Sequence, residues 1–190
     1  MVTHVFSSVN EMSVKVGTIC DVLMERRLEV WRSVENCTPE QLKDAKAFGI
    51  FGGIEKALID VDVKTFDLND LVVDGGLQAA CECNFKGSGR PAVFDRVAIG
   101  TDGTPPAASQ TALGAESMRV QGTYANDPTD GECSMDGTFD ITQTLALQEC
   151  GLFNDPSAGT MYCRDTYTTK NVESGDTVKV YYTPKFQRPA

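Results

Sequence analysis

Residues able to do chemistry are few and scattered in this chain of 190 residues. The one histidine, His4, stands near the start, so triads, acid–base pairs and zinc sites built on imidazole are closed to the rest of the chain. The cysteines, Cys20, Cys37, Cys81, Cys83, Cys133, Cys150 and Cys163, are odd in number and irregular in spacing. Met1 to Asn10 lacks the basic start and apolar run of a secretory leader, and the expectation is reduced thiols in a protein made in a cytosol. Cys81-Glu82-Cys83 has one residue between its thiols where a redox or metal pair usually has two, and no second pair follows. Asp127, Asp130, Glu132 and Asp136 offer carboxylates for glycosidase chemistry or for calcium. They do not follow the alternating ligand pattern of an EF-hand, and a solvated hairpin tip has the same composition. Lys86-Gly87-Ser88-Gly89-Arg90-Pro91 is glycine-rich without the spacing or ending of a phosphate loop. The expectation is no catalytic residue, no metal and no cofactor: a protein that is not an enzyme.

Four other charges stand in apolar strand contexts: Glu116, Arg119, Glu149 and Arg164. Glu149 and Arg164 flank two strands joined by Asn154 to Gly159, a run of turn formers, and pairing of those strands brings the two charges together at the loop base. All four form one network of charge-assisted bonds that fixes two long loops, or they are four unrelated surface charges. Between Glu149 and the loop, Gly151 marks a bend or the close approach of another backbone. Leu152 and Phe153 are adjacent, so they face opposite sides of a strand buried on both.

The totals narrow the field further. A net charge of −10 and a pI near 4.5 give no basic surface for nucleic acid and disfavour an anionic membrane. An apolar content of 41% supports a real core. No run is long and apolar enough to cross a bilayer.

The elements that must position these residues read as follows. Val14-Lys15-Val16 suits a short strand. Ile19, Val22, Leu23, Val30 and Val34 recur at helical spacing, predicting a helix from Thr18 to Val34. Thr38, Pro39 and Gln41 predict a capped helix running through Leu42, Ala45 and Phe48 to Gly49. Gly52-Gly53 reads as a hinge. Ala57 to Phe66 alternates as a half-buried strand. A short helix over Leu71 to Cys83 follows, with Leu77, Ala80 and Cys81 inward. Strands are predicted over Val93 to Gly100, Ala115 to Ala125, Thr138 to Leu147, Thr160 to Thr168 and Asp176 to Phe186, with Asn126 to Gly137 as a turn. The fold class is mainly β: an antiparallel β-sandwich-like domain over 57–190, preceded by an N-terminal helical arm over 1–56 for oligomerisation or docking.

Two segments carry a resemblance. One runs from Ile99-Gly100-Thr101-Asp102-Gly103-Thr104-Pro105-Pro106 through Thr111-Ala112-Leu113-Gly114-Ala115-Glu116-Ser117-Met118-Arg119. The other runs from Glu149 through Gly151-Leu152-Phe153-Asn154 and Gly159 to Arg164. Together they resemble a pattern shared by structural proteins of tailed viruses, including N-terminal domains of phage tail-collar and tail-fibre proteins, across roughly residues 70–186. Cys150 departs from the small or apolar residue usual there, and residues 1–56 have no counterpart. The resemblance implies a β-rich virion component without enzymatic activity, in which Gly100, Gly103, Leu113, Glu116, Arg119, Glu149, Gly151, Leu152, Phe153, Gly159 and Arg164 form the structural motif.

The expected function is that of a structural virion protein of the tail, fibre attachment, collar or baseplate. Its partners are then itself, as a trimer or hexamer, and neighbouring virion proteins, with no nucleic acid and no membrane. A capsid decoration or neck protein uses the same physics. A receptor- or carbohydrate-binding module is the other class; it wants exposed aromatics, but Trp31 lies on the predicted helix, and Tyr162, Tyr167, Tyr181 and Tyr182, on or beside predicted strands, read as packing residues.

Overall fold

The structure, a computed structural model, describes residues 21–67, 72–126 and 131–187. Its strands are β1 (Asp21–Ser33), β2 (Phe48–Phe51), β3 (Ile54–Asp67), β4 (Arg96–Gly100), β5 (Glu116–Gln121), β6 (Thr123–Asn126), β7 (Cys133–Asp140), β8 (Leu145–Phe153), β9 (Met161–Val172) and β10 (Thr177–Gln187). Among the described residues, a 3-10 turn (Val34–Asn36) and two α-helices, α1 (Pro39–Asp44) and α2 (Asp74–Phe85), complete the regular structure. The strands form a six-stranded sheet in the order β2-β3-β1-β10-β7-β6 and a four-stranded sheet in the order β5-β4-β8-β9. Every pairing is antiparallel. Leu28, Val30, Phe139, Val178, Val180 and Tyr182 of the larger sheet meet Val97, Ile99, Cys150 and Leu152 of the smaller one in a shared core. The mainly β, sandwich-like reading is thus the observed architecture.

The helix predicted over Thr18 to Val34 is corrected. Its described part is β1, an inner strand held between β3 and β10. The period-2 pattern is hidden because Arg26, on the same face as Leu28 and Val30, points into the sandwich and is 4% exposed. It stays charged there because Asp62 and Asp165 each accept from it at 2.6 Å. Lys64 reaches the same Asp165 at 3.3 Å, and Lys170 reaches Asp60 at 3.1 Å. The alternation predicted for β3 is present with its charged row inward: Asp62 and Lys64 pair across the ladder with Leu28 and Arg26, while Val63 is 50% exposed. Burial pushes the Asp62 carboxyl up, but bonds and charge from Arg26, then Lys170, outweigh it and hold it below the ordinary range.

The arm reading over 1–56 is corrected for its described part, 21–56, where β1, β2 and the start of β3 belong to the large sheet. A boundary at residue 56 cuts β3, and Gly52-Gly53 is the turn of the β2–β3 hairpin, with φ of +58° and +82°. Two successive positive φ values match the twist of a two-residue hairpin, which is why two glycines stand there. The expected Val14–Val16 strand lies outside the described residues. The capping box is present: Thr38 accepts from Gln41 N–H, and the Gln41 side chain accepts from Thr38 N–H. That helix ends at Asp44, and Phe48 belongs to β2.

Three further boundaries differ. The strand predicted over Ala115–Ala125 breaks at Gly122, where the chain leaves the small sheet as β5 and enters the large one as β6. A side chain at Gly122 would press on Met135. The strand predicted over Thr138–Leu147 spans the end of β7, a turn without Gly or Pro, and the start of β8, while β7 begins within the predicted Asn126–Gly137 turn. Helix α2 packs on β9 through Gly76 and Ala79, whereas Leu77 and Cys81, predicted inward, are exposed. Gly76 is required because a Cβ there would lie 2.7 Å from Tyr162 Cα.

Candidate functional site: two charged clamps on one sheet face

The motif residues gather on the outer face of the four-stranded sheet. Arg119 on β5, Ala98 on β4, Gly151 on β8 and Arg164 on β9 form one cross-strand row. Gly100 and Glu149 pair in the next row. This face is covered by the 101–115 loop and the 154–160 loop. Beneath them lies a second apolar cluster of Val73, Ala98, Leu113, Phe153 and Met161. Leu152 points the other way, into the core between the sheets. The opposite burial expected of Leu152 and Phe153 is therefore observed.

Glu149 is fully buried and Arg164 is 1% exposed. Arg164 Nε donates to Glu149 Oε2 at 2.8 Å. The same carboxylate accepts backbone N–H bonds from Gly114 at 2.9 Å, Ala115 at 2.7 Å and Asp102 at 3.2 Å. Arg164 then reaches into the 101–115 loop, donating to the Thr104 carbonyl at 2.9 Å, the Gln110 side chain at 3.2 Å and the Asp102 carbonyl at 3.3 Å. One buried ion pair therefore fastens both ends and the middle of this loop. Leu113 is pressed onto Gly151, where a Cβ would lie 2.9 Å from Leu113 Cδ2. At Gly100 a Cβ would lie 2.5 Å from both the Ala115 carbonyl and the Glu149 carboxylate. Gly103 lies against the Gln148 side chain. At Gly151 the expected approach of another backbone is that of the Cys163 carbonyl, 3.0 Å from where a Cβ would stand, and a leucine side chain of the loop crowds the same spot.

Glu116 and Arg119 form a second clamp. Arg119 holds Glu116 in a two-pronged pair at 2.9 and 2.6 Å. Its remaining nitrogen donates to the Asp155 and Ala158 carbonyls at 2.8 and 2.9 Å, and its guanidinium carbon lies 3.6 Å from the Phe153 ring centroid. The Asn154–Gly159 loop is fixed from within as well. Asn154 Oδ1 accepts from Thr160 N at 2.7 Å, and Asp155 Oδ1 accepts from Ser157 and Ala158 N, both at 3.0 Å. Those N–H bonds hold the Asp155 carboxyl below the usual range. Gly159 closes the loop at φ +83°, a conformation L side chains rarely adopt.

The predicted charges do fix two loops, but as two clamps with β4 between them, each serving one loop. Residue reading missed Asp102, Thr104 and Gln110 as members of the first. The usable signal was Asp102-Gly103-Thr104: Asp102 Oδ1 accepts from Thr104 N and Oγ1 at 2.9 and 2.7 Å, an Asx turn that sets the carbonyls facing Arg164. These bonds hold the Asp102 carboxyl below its ordinary value.

Of the other sequence candidates, Tyr162 and Tyr182 are buried, and Trp31 packs on Phe51 with ring centroids 5.0 Å apart. Cys150 sits between the sheets, and burial pushes its thiol up to about 12. Among the described residues no group of three or more His, Cys, Asp or Glu is arranged to hold a metal ion, and no helix is long and apolar enough to cross a membrane. The chain matches no family model, no curated protein and no solved structure.

Proposed function

We propose that this chain is a structural protein of a tailed-virus particle, acting by self-association and by docking to neighbouring virion proteins, with no bond made or broken. The observation that carries the reading is the use made of the motif residues. Glu149 and Arg164 are occupied by each other and by the backbone and side chains of the 101–115 loop, and Arg119 is occupied by Glu116 and the backbone of the 154–160 loop. Such bonds hold a fixed outline, and a fixed outline binds a partner without the ordering cost of a mobile loop. The resemblance in motif order supplies the setting, a particle of tail, fibre-attachment, collar or baseplate type.

The test is detection in particles of the virus whose genome carries the gene. Peptide mass spectrometry of gradient-purified particles should find the chain in fixed stoichiometry, and immunogold labelling should place it at the tail or its attachment region. Its absence from intact particles, with abundant protein in the infected cell, overturns the reading.

A further inference from the structure

The large sheet ends in two open edges of complementary character. At one end is β2, Phe48-Gly49-Ile50-Phe51, with Phe48 55% and Ile50 76% exposed. At the other is β6, Thr123-Tyr124-Ala125-Asn126, with all four residues exposed. Beside β6 opens a cleft of about 310 Å³ whose lining, including Cys83, Val93, Tyr124, Met135 and Phe186, is almost entirely apolar. Its rim carries Val93 at 71% and Tyr124 at 60% exposure. Neither edge strand holds a charge, and exposed apolar edges of this kind pair readily with another strand.

We propose that copies of this chain join head to tail, with β2 of one copy adding to the free edge of β6 of the next and setting Phe48 and Ile50 beside the apolar cleft. Two features select this occupant. Five antiparallel steps separate β2 from β6, so the two strands run in opposite directions, and an identically oriented neighbour continues the antiparallel sheet. Side-chain sidedness agrees. Tyr124 pairs with Met135 and Met135 with Tyr182 on the face toward the small sheet, and Phe48 shares that face through Ala57 and Arg32. A two-fold β2–β2 contact would leave the cleft uncovered, whereas the head-to-tail contact covers the β2 edge and the cleft beside β6 together. A contact between different patches closes into a ring or propagates as a filament. The inference rests on the self-association named above, but not on a place in a virus particle.

The experiment is light scattering on the purified full chain, wild type and two variants, Ile50→Lys on the β2 edge and Tyr124→Lys on the β6 edge. Both positions are more than half exposed, so the fold should survive, and circular dichroism melts verify it; Phe48→Glu and Val93→Glu replace either variant that fails. Wild type should give species of three or more copies, and each variant alone a monomer, with association weakened at least tenfold. Mixed one to one, the variants retain one intact pairing, the β2 edge of Tyr124→Lys on the β6 edge of Ile50→Lys, and should stop at a heterodimer. A monomeric wild type, a wild type that stops at two copies, assembly unaffected by either variant, or a mixture that stays monomeric overturns the proposal. Monomeric protein in solution that is nonetheless found in purified particles would remove this contact while leaving the virion reading in place.

Discussion

Glu149→Gln keeps the volume of the side chain and exchanges one oxygen for an amide group. Glu149 accepts four N–H bonds, two on each oxygen: Asp102 and Ala115 on Oε1, Gly114 and Arg164 on Oε2. A glutamine keeps one accepting oxygen whichever way its amide is turned. Two donors then lose their acceptor and face another donor, and Arg164 loses the counter-charge beside it. A buried donor left unpaired costs about 1–3 kcal/mol, and removing one member of a buried ion pair costs about 3–5 kcal/mol. These ranges describe overlapping atoms, so they do not add. Asp102, 3.3 Å from Arg164 Nη2 and 29% exposed, remains as a second counter-charge and places the cost toward the lower end. The expected loss is about 3–4 kcal/mol, or a fall in Tm of roughly 6–16 °C for a domain of this size. Urea denaturation followed by circular dichroism reads the stability, and amide exchange at Gly114 and Ala115 reads the loop. If the loss is below about 1 kcal/mol and both amides exchange at the wild-type rate, the clamp argument is wrong.

Four other outcomes follow from the same geometry. Gly76→Ala should destabilise by about 1–3 kcal/mol because its methyl enters the β9 backbone at Tyr162, while Gly75→Ala, with 3.4 Å to Thr160 Cγ2, should be neutral or gain up to about 1 kcal/mol of helix propensity; chemical denaturation of the pair decides. Gly52→Asn should stabilise the β2–β3 turn by about 0.4–1 kcal/mol, since asparagine tolerates the left-handed conformation and restricts the unfolded chain, measured again as a denaturation midpoint. Asp62 titrates below its unfolded value of about 4, so it stabilises the fold above that pH and loses the contribution as pH falls through the lower folded value. The stability gap between wild type and Asp62→Asn should therefore narrow in acid. Alkylation at pH 8 followed by peptide mapping should modify exposed Cys81 first and Cys150 only on unfolding, because burial, opposed by Arg26, leaves the Cys150 thiol near 12.

The parts legible in the sequence are those decided within a few residues. Thr38 and Gln41 announce a capping box because both bonds span a single helical turn. Asn154 to Gly159 announces a loop for the same reason, and the adjacency of Leu152 and Phe153 announces burial on two sides. Illegible were the features set by chain far away. Met24, Arg26, Leu28 and Val30 alternate inward, but Arg26 breaks the apolar row, and only Asp62 and Asp165, distant in sequence, explain how a guanidinium is kept there. The charged face of β3 turns inward for the same reason. Glu149 and Arg164 were legible as a pair through their shared hairpin. Their link to Thr104 and Gln110 was not, because it depends on a loop folding back across the sheet.

The position of β1 has a consequence for how the protein is made. β1 is the first of the described strands to be made, yet its two neighbours are β3 and β10, and β10 is the last of them to leave the ribosome. Until then β1 presents one bare edge, with β3 alone beside it, and Arg26 waits for Asp165 until β9 has been made. Closure across such a sequence distance is slow, in the range of milliseconds to seconds for β-rich chains. The nascent polypeptide thus carries a strand with one unpaired edge from the making of β1 until that of β10, and chains cut short before Thr177 should emerge as substrates for chaperones and proteases.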